Sequence, residues 1–282
     1  LYLDRKRYGV SGATAARRFD RLQMEAPKKL PEVLGIDEFR GNSGGEKFRC
    51  ILTDIKNRHV ADILPTRLER DLIDYFKKYD RSTVKYFVSD MYKPYAEIAK
   101  TYFPDAVHVI DRYHWVRQAT WAFEKVRKEI QKKFSKTHRI YFKHSRKLLL
   151  KRAAKLSEQE LQQVNIMLYA SADLSNAYFL KEQLYRILDG IKDPTATDTT
   201  DLKREFRNWI RDALDSEIPA FVSCAHTYRR WLEPILNSFD CPYSNGFTEG
   251  CNNRIKVLKR NAFGFHSFKR FRSRILFSCP KQ

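Results

Sequence analysis

The apolar period of this chain changes once, near residue 115, and that change limits the folds open to it. Before it, short apolar or alternating runs read as strands; after it, apolar residues recur at helical spacing. Residues 33–39 form the first expected strand and 47–55 the second, joined by the turn sequence Gly41-Asn42-Ser43-Gly44-Gly45. Residues 59–64 make a third. In 68–79, Leu68, Leu72, Ile73 and Phe76 fall at helical spacing; 84–89 returns to a strand, 95–102 is a short helix and 106–110 a fifth strand. The order βββαβαβ predicts an α/β fold with a mixed sheet, an antiparallel hairpin extended by strands reached through helical crossovers.

Past Trp115 the strands stop. Trp115, Ala119, Ala122, Val126, Ile130 and Phe134 mark one face of a long helix, and helical patterns continue through 141–155, 158–188 and 202–214, with a polar break at 193–200. Helical spacing returns in 245–258, a turn is expected around Gly264, and Phe268, Phe271, Ile275 and Leu276 mark a last helix. Near the start, Tyr8-Gly9-Val10-Ser11-Gly12-Ala13-Thr14-Ala15-Ala16-Arg17-Arg18-Phe19 reads as a turn and a short basic helix. It suits the second half of a helix-turn-helix or, equally, any capped surface helix. Residues 27–31 read as a linker. Four segments follow: 1–30; 31–114 as the first part of a sheet domain; 115–240 as a basic, all-helical insertion; and 241–282 as helices completing the sheet domain.

The 282 residues suffice for a sizeable core, and a hydrophobic fraction of 43% is that of a globular chain. The net charge of +20 points to a polyanionic partner. No apolar run approaches the roughly 18–20 residues of a spanning helix, so a membrane is not the expected partner. Five scattered cysteines without a C-x-x-C pair support neither a disulfide framework nor a structural zinc site, and read as a reducing compartment. The chain opens on Leu1 rather than Met, so an N-terminal part is expected to be missing. Residues 116–156 hold fourteen Lys or Arg against Glu124 and Glu129, a density that favours a phosphate track over an ordinary solvated face. Lys132 and Lys133 are candidate contacts within it. The interleaved aromatics Trp121, Phe123, Phe134, Tyr141 and Phe142 are expected to be mostly core.

Three acids carry the chemistry. Asp37 closes the apolar run Val33-Leu34-Gly35-Ile36, and Asp90 closes Val84-Lys85-Tyr86-Phe87-Val88-Ser89. Carboxylates at strand ends emerge at a sheet edge, where α/β folds bind ligands. Two so close are costly unless a cation neutralises them, and oxygen-only ligands favour magnesium or manganese. Taken alone, either aspartate reads equally well as a turn or capping residue. Asp111 is the rival for the second position, as a structural or supporting acid beside Arg112 and His114. Glu249 opens a helix on which Asn252, Asn253 and Lys256 share its face. From Gly250 to Gln282 there is no acid but nine Lys or Arg. A dipole-favoured helix-start glutamate explains Glu249 but not those neighbours. Arg254, Lys256, Lys259 and Arg260 are the candidate phosphate contacts of this segment.

The motifs Gly35-Ile36-Asp37-Glu38-Phe39, Ser89-Asp90-Met91-Tyr92-Lys93-Pro94-Tyr95, Phe103-Pro104-Asp105-Ala106, Asp111-Arg112-Tyr113-His114 and Ser244-Asn245-Gly246-Phe247-Thr248-Glu249-Gly250-Cys251-Asn252-Asn253-Arg254-Ile255-Lys256, with Arg260 to Phe265 after them, closely resemble those of bacterial DDE transposases of the insertion-sequence L3 family. The resemblance runs from about Leu34 to Leu276. It implies an RNase H-like catalytic domain interrupted by a helical insertion, and a metal-binding triad of Asp37, Asp90 and Glu249 holding two Mg²⁺ (or Mn²⁺) ions. His114 and Asp111 would be auxiliary. It further implies cleavage of element ends and strand transfer into target DNA. The partners would be double-stranded DNA, both terminal inverted repeats and target, with a homo-oligomer assembled on it in the bacterial cytoplasm at the nucleoid. The family's N-terminal cysteine-rich zinc motif is absent here, and at most the end of its helix-turn-helix remains. The rival readings are a catalytically silent DNA-binding remnant and an RNase H-like nuclease that does not join DNA.

Overall fold

The structure, a computed structural model, describes residues 9, 11–21, 24–41, 46–191, 198–262, 264–265 and 267–279. Most of the expected turn at 41–45 and the polar break at 193–200 therefore lie outside the described residues. Two compact units emerge, one formed by residues 1–108 with 243–282, the other by 109–242.

The first unit is built on strands β1 (Val33–Arg40), β2 (Phe48–Asp54), β3 (His59–Leu64), β4 (Tyr86–Ser89) and β5 (Val107–Ile110), with α2 (Glu69–Phe76) between β3 and β4 and α3 (Lys93–Tyr102) between β4 and β5, after an N-terminal α1 (Gly12–Asp20). The sheet order is β3-β2-β1-β4-β5. β1 pairs antiparallel with β2 and β2 with β3, whereas β1 and β4 run parallel. The division between units falls inside β5, after His108. The α/β mixed sheet and its element order are thus as the apolar periods predict, with helix and strand ends shifted by a few residues.

Alternation along β1 and β2 separates two cores. Leu34, Ile36, Cys50 and Leu52 join Leu72, Phe76, Phe87, Tyr95 and Phe103 on the side of α2 and α3. Phe39, Ile51 and Ile63 join Cys251, Ile255, Phe271 and Ile275 on the other. Those last residues come from α12 (Gly246–Asn261) and α13 (Phe268–Ser278), numbered after the eight helices of the second unit. Asp37 lies between Ile36 and Phe39 in this alternation, on the α12 face. Segment 27–31 is no free tether, since Leu30 is buried in the first core. Helix α1 is capped by Ser11, whose side chain accepts from Thr14 N at 3.1 Å, and leans on α13 through Phe19 and Phe277, with ring centroids 5.4 Å apart.

The seat of Thr53, which bonds α12, depends on Gly35. A Cβ there would overlap Thr53 Oγ1 and come within 2.8 Å of Ile55 Cδ1. Thr53 Oγ1 is in turn hydrogen-bonded to Thr248 of α12 at 2.7 Å, both side chains fully buried. Gly35→Ala is expected to destabilise the chain by about 1–3 kcal/mol, read as a lowered denaturant midpoint at unchanged slope. An unmoved midpoint would show that the seat of Thr53 does not depend on Gly35.

Past the end of β5, the described residues of the second unit form helices and no further strand: α4 (Arg112–Lys132), α5 (Lys136–His144), α6 (Arg146–Leu150), α7 (Glu158–Tyr169), α8 (Ala172–Gly190), α9 (Thr200–Asp215), α10 (Pro219–Arg230) and α11 (Leu232–Asp240). Its core centres on Trp115, stacked on Phe239 at 5.9 Å and enclosed by Phe206 and Tyr228. The single expected helix over 158–188 is two, because Ser171 stops one and caps the next by accepting from Leu174 N. Residues 141–155 likewise break into short pieces after Ser145. No helix among the described residues is long and apolar enough to cross a membrane.

Candidate active site

The parallel register of β1 and β4 is Val33↔Tyr86, Leu34↔Phe87 and Gly35↔Val88. Carried two places further, it sets Asp37 beside Asp90. Asp37 is not at the end of β1, as expected from the sequence. Glu38, Phe39 and Arg40 go on pairing with Cys50, Arg49 and Phe48 of β2. The strand end that matters is that of β4, which stops at Ser89, so the sheet opens beside Asp37 only on that side. Carboxylate oxygens of Asp37, Glu38 and Asp90 lie within 4.8 Å of one another there.

Asp37 is held at both oxygens. Glu38 N donates to Oδ1 at 2.7 Å, and Asn252 Nδ2 donates to Oδ2 at 2.8 Å. Asp90 Oδ1 accepts from Tyr92 N at 3.2 Å. Glu38 is tied from the other core by Arg67 Nη1 at 2.7 Å and Tyr95 OH at 3.4 Å. Helix α12 is fastened over this point by Asn245 Nδ2, which donates to Ile36 O at 3.3 Å, and by the Thr53–Thr248 bond.

Burial pushes Asp37 up to about 7, against the Glu38 amide, with the charges of Asp90, Glu38 and Glu249 adding to the rise. Burial likewise pushes Asp90 up to about 7, with Glu38 adding and the Tyr92 amide and Arg67 opposing. Both carboxyls sit far above their ordinary range because too many acids share too little water. Such a site takes up a cation readily once the protons leave. The donors are all oxygens, and Asn252 Oδ1, buried and without a hydrogen-bond partner among the described residues, adds a neutral one beside Asp37. This set suits a hard divalent ion rather than zinc or copper.

Glu249 lies in the first turn of α12, half-buried, and its charge is felt at Asp37. The expected common face of Glu249, Asn252, Asn253 and Lys256 splits. Asn252 turns inward to Asp37, while Asn253 and Lys256 are exposed and bond each other at 3.1 Å. Arg254 and Arg260 are exposed; Arg254 reaches Ser278 O at 3.3 Å, and half-buried Lys259 donates to Arg40 O. Asp111 and His114 belong to the helical unit, where Asp111 caps α4 by accepting from Tyr113 N at 2.9 Å. Arg112 donates to Ser238 O at 2.8 Å. Lys132 and Lys133 end α4, both exposed.

Glu38, read from the sequence only as part of the Asp37 motif, and Asn252, read only as a companion of Glu249, both join this cluster. An acid next to Asp37 points to the opposite sheet face by simple alternation, where Arg67 and Tyr95 hold Glu38, and a carboxylate oxygen of it still lies within 4.8 Å of those of Asp37 and Asp90. Asn252→Ala is expected to weaken divalent-ion binding at this cluster by about 10–100-fold, read by calorimetric titration with magnesium. Unchanged magnesium affinity would assign Asn252 to packing alone.

Comparison with known proteins gives the class and then the family. A family model described as transposase matches residues 34–275. The chain belongs to that family, the ISL3 group of DDE transposases. The transposase for insertion sequence element IS1001 of Bordetella parapertussis is 25% identical over 285 residues, spanning 97% of this chain and 68% of that protein. The transposase for insertion sequence element IS1557 of Mycobacterium tuberculosis is 30% identical over 125 residues, 44% of this chain and 27% of the relative. A Lactococcus lactis protein named ATP-dependent protease is 52% identical over 56 residues, only 20% of this chain and 18% of its own, too short a stretch to carry a function. No solved structure matches. Membership of a DDE transposase family implies action on DNA with divalent metal.

Proposed function

We propose that this chain is the catalytic region of a transposase that cuts DNA at element ends and joins the freed 3′-hydroxyl to target DNA. On this reading residues 31–114 and 241–282 form an RNase H-like domain, 115–240 a basic insertion, and 1–30 the remnant of a helix-turn-helix with its linker. The observation that carries the proposal is the meeting of buried Asp37 with half-buried Asp90 at the open edge of the sheet, with Glu249 adding to the same field.

Asp37, Asp90 and Glu249 are the residues that would hold two Mg²⁺ ions, with Glu38 beside them. When bound, the ions supply charge stabilisation at the phosphate and favour the deprotonated nucleophile. The chain's own groups orient the acids. The Glu38 amide and Asn252 fix both Asp37 oxygens, the Tyr92 amide fixes Asp90, and Arg67 offsets part of the negative charge. Water attacks the phosphodiester at the element end, breaking its P–O3′ bond to leave a 3′-hydroxyl and a 5′-phosphate. That hydroxyl then attacks a target phosphodiester, whose own 3′-oxygen departs with a proton. Arg254, Lys256, Lys259, Arg260, Lys132 and Lys133 would contact DNA phosphates, and His114 and Asp111 would play supporting parts. Two ends handled together call for a homo-oligomer on the DNA.

The test is a labelled terminal-repeat duplex incubated with the chain and Mg²⁺. Cleavage followed by joined product supports the transposase. Cleavage without joining would make it a nuclease, and binding without cleavage a silent remnant.

A further inference from the structure

Two large aromatics of α4 lie exposed, as Tyr169 and Phe179 of later helices also do. Trp121 is 50% exposed and Tyr113 54%, although Trp115 and Phe123 of the same helix are fully buried. The sequence expectation that these aromatics are core thus fails at Trp121. Tyr113, Arg117 and Trp121 recur at four-residue spacing and form one stripe of α4. The Arg117 guanidinium lies over Trp121 at 4.2 Å and near Tyr113 at 5.7 Å. It makes no hydrogen bond or ion pair with any described residue, so its N–H donors are open. A cavity of about 480 Å³ adjoins the stripe, lined also by Arg112, Arg152, Val116 and Leu188. Its size falls within the roughly 300–1,000 Å³ of ligand pockets. Arg112 is committed to Ser238 O and Arg152 to Asp189, which leaves Arg117 as the open cation.

From this we infer that the Tyr113–Arg117–Trp121 stripe and its cavity bind an unpaired DNA base with its adjoining phosphate. Ring faces stack on any nucleobase, whereas a duplex hides its base faces and offers only phosphates and groove edges to such a surface. Eleven of the fourteen Lys or Arg in 116–156 are exposed, so the surroundings match a polyanion. The inference rests on the DNA-acting reading above and adds a preference for single-stranded or frayed DNA.

The experiment compares a blunt duplex with the same duplex bearing a single-stranded tail that carries 2-aminopurine, using anisotropy for affinity and 2-aminopurine emission for stacking. Wild type is expected to bind the tailed DNA about tenfold tighter than the blunt one, with emission quenched on binding. Trp121→Ala should abolish both the preference and the quench while leaving blunt-duplex affinity and the thermal melt unchanged. Trp121→Phe should keep most of both. Arg117→Gln should lower the salt slope on tailed DNA by about one. Equal wild-type affinity for the two DNAs, or a quench that survives Trp121→Ala, overturns the platform alone. Equal weakening of both DNAs by Trp121→Ala does the same, since it would mark a general phosphate contact. Failure of wild type to bind the blunt duplex overturns the DNA-acting reading and the platform with it.

Discussion

Asp37→Asn is expected to lower magnesium-dependent cleavage of a terminal-repeat duplex by on the order of 10³-fold or more, while affinity for that duplex stays close to wild type. The change exchanges one oxygen for an amide nitrogen at nearly constant volume. Both Asp37 oxygens now accept hydrogen bonds, from Glu38 N and from Asn252 Nδ2. An amide could accept only one of them, and its NH₂ would face a second donor. It also removes an anion from a cluster whose proposed task is to hold cations, and loss of several kcal/mol of charge stabilisation is a loss of about 10³-fold in rate. Asp90→Asn and Glu249→Gln should fall in the same range. Glu38→Gln is the informative companion, because Glu38 shares the 4.8 Å cluster yet is held by Arg67 and Tyr95. A supporting acid should cost about 10–100-fold. If Glu38→Gln proved as severe as Asp37→Asn while Glu249→Gln kept cutting, the third place would pass from Glu249 to Glu38.

Much of the framework was legible because it rests on burial. Val33, Leu34 and Ile36 are fully buried, and such runs read as strands whatever packs on them. The pairing of Asp37 with Asp90 follows from two apolar runs that end alike and lie parallel. What could not be read depends on turns of the backbone or on neighbours distant in sequence. Asn252 read as sharing one face with Glu249, Asn253 and Lys256; the buried positions Thr248, Cys251 and Ile255 turn it towards Asp37 and leave Asn253 and Lys256 exposed. Glu38 is bonded by Arg67, twenty-nine residues away, a partner no local pattern names. Ser171 divides a continuous helical pattern with a side-chain cap, and Trp121 looked apolar enough for a core that the helix fills with Phe123. Periodicity reports which residues want burial, and says little about which polar group will meet which.

The second large effect is a dependence of stability on pH that runs against the usual behaviour of aspartates. In the unfolded chain Asp37 titrates near its ordinary 3.8, whereas in the folded, metal-free protein burial and its acidic neighbours hold it at about 7. Below pH 3.8 both states carry the proton and the difference is nil. Between about 4 and 7 the folded state keeps a proton that the unfolded chain has lost, so stability falls as pH rises through that window and levels off above it. A rise of this size corresponds to on the order of 4 kcal/mol, and because Asp90 is raised to the same value and the two acids are neighbours, their effects overlap rather than add. The measurement is the difference in unfolding free energy between Asp37→Asn and wild type without metal, which removes the background from the +20 net charge. That difference should move in favour of the variant by a few kcal/mol from pH 4 to pH 7.5. Magnesium should reverse it, since a cation takes the place of the proton. The magnesium-induced rise in wild-type melting temperature should therefore be small at pH 5, large at pH 8 and missing from Asp37→Asn. A variant that gains nothing with rising pH, or a magnesium effect independent of pH, would mean that Asp37 is solvated rather than crowded by the acids around it.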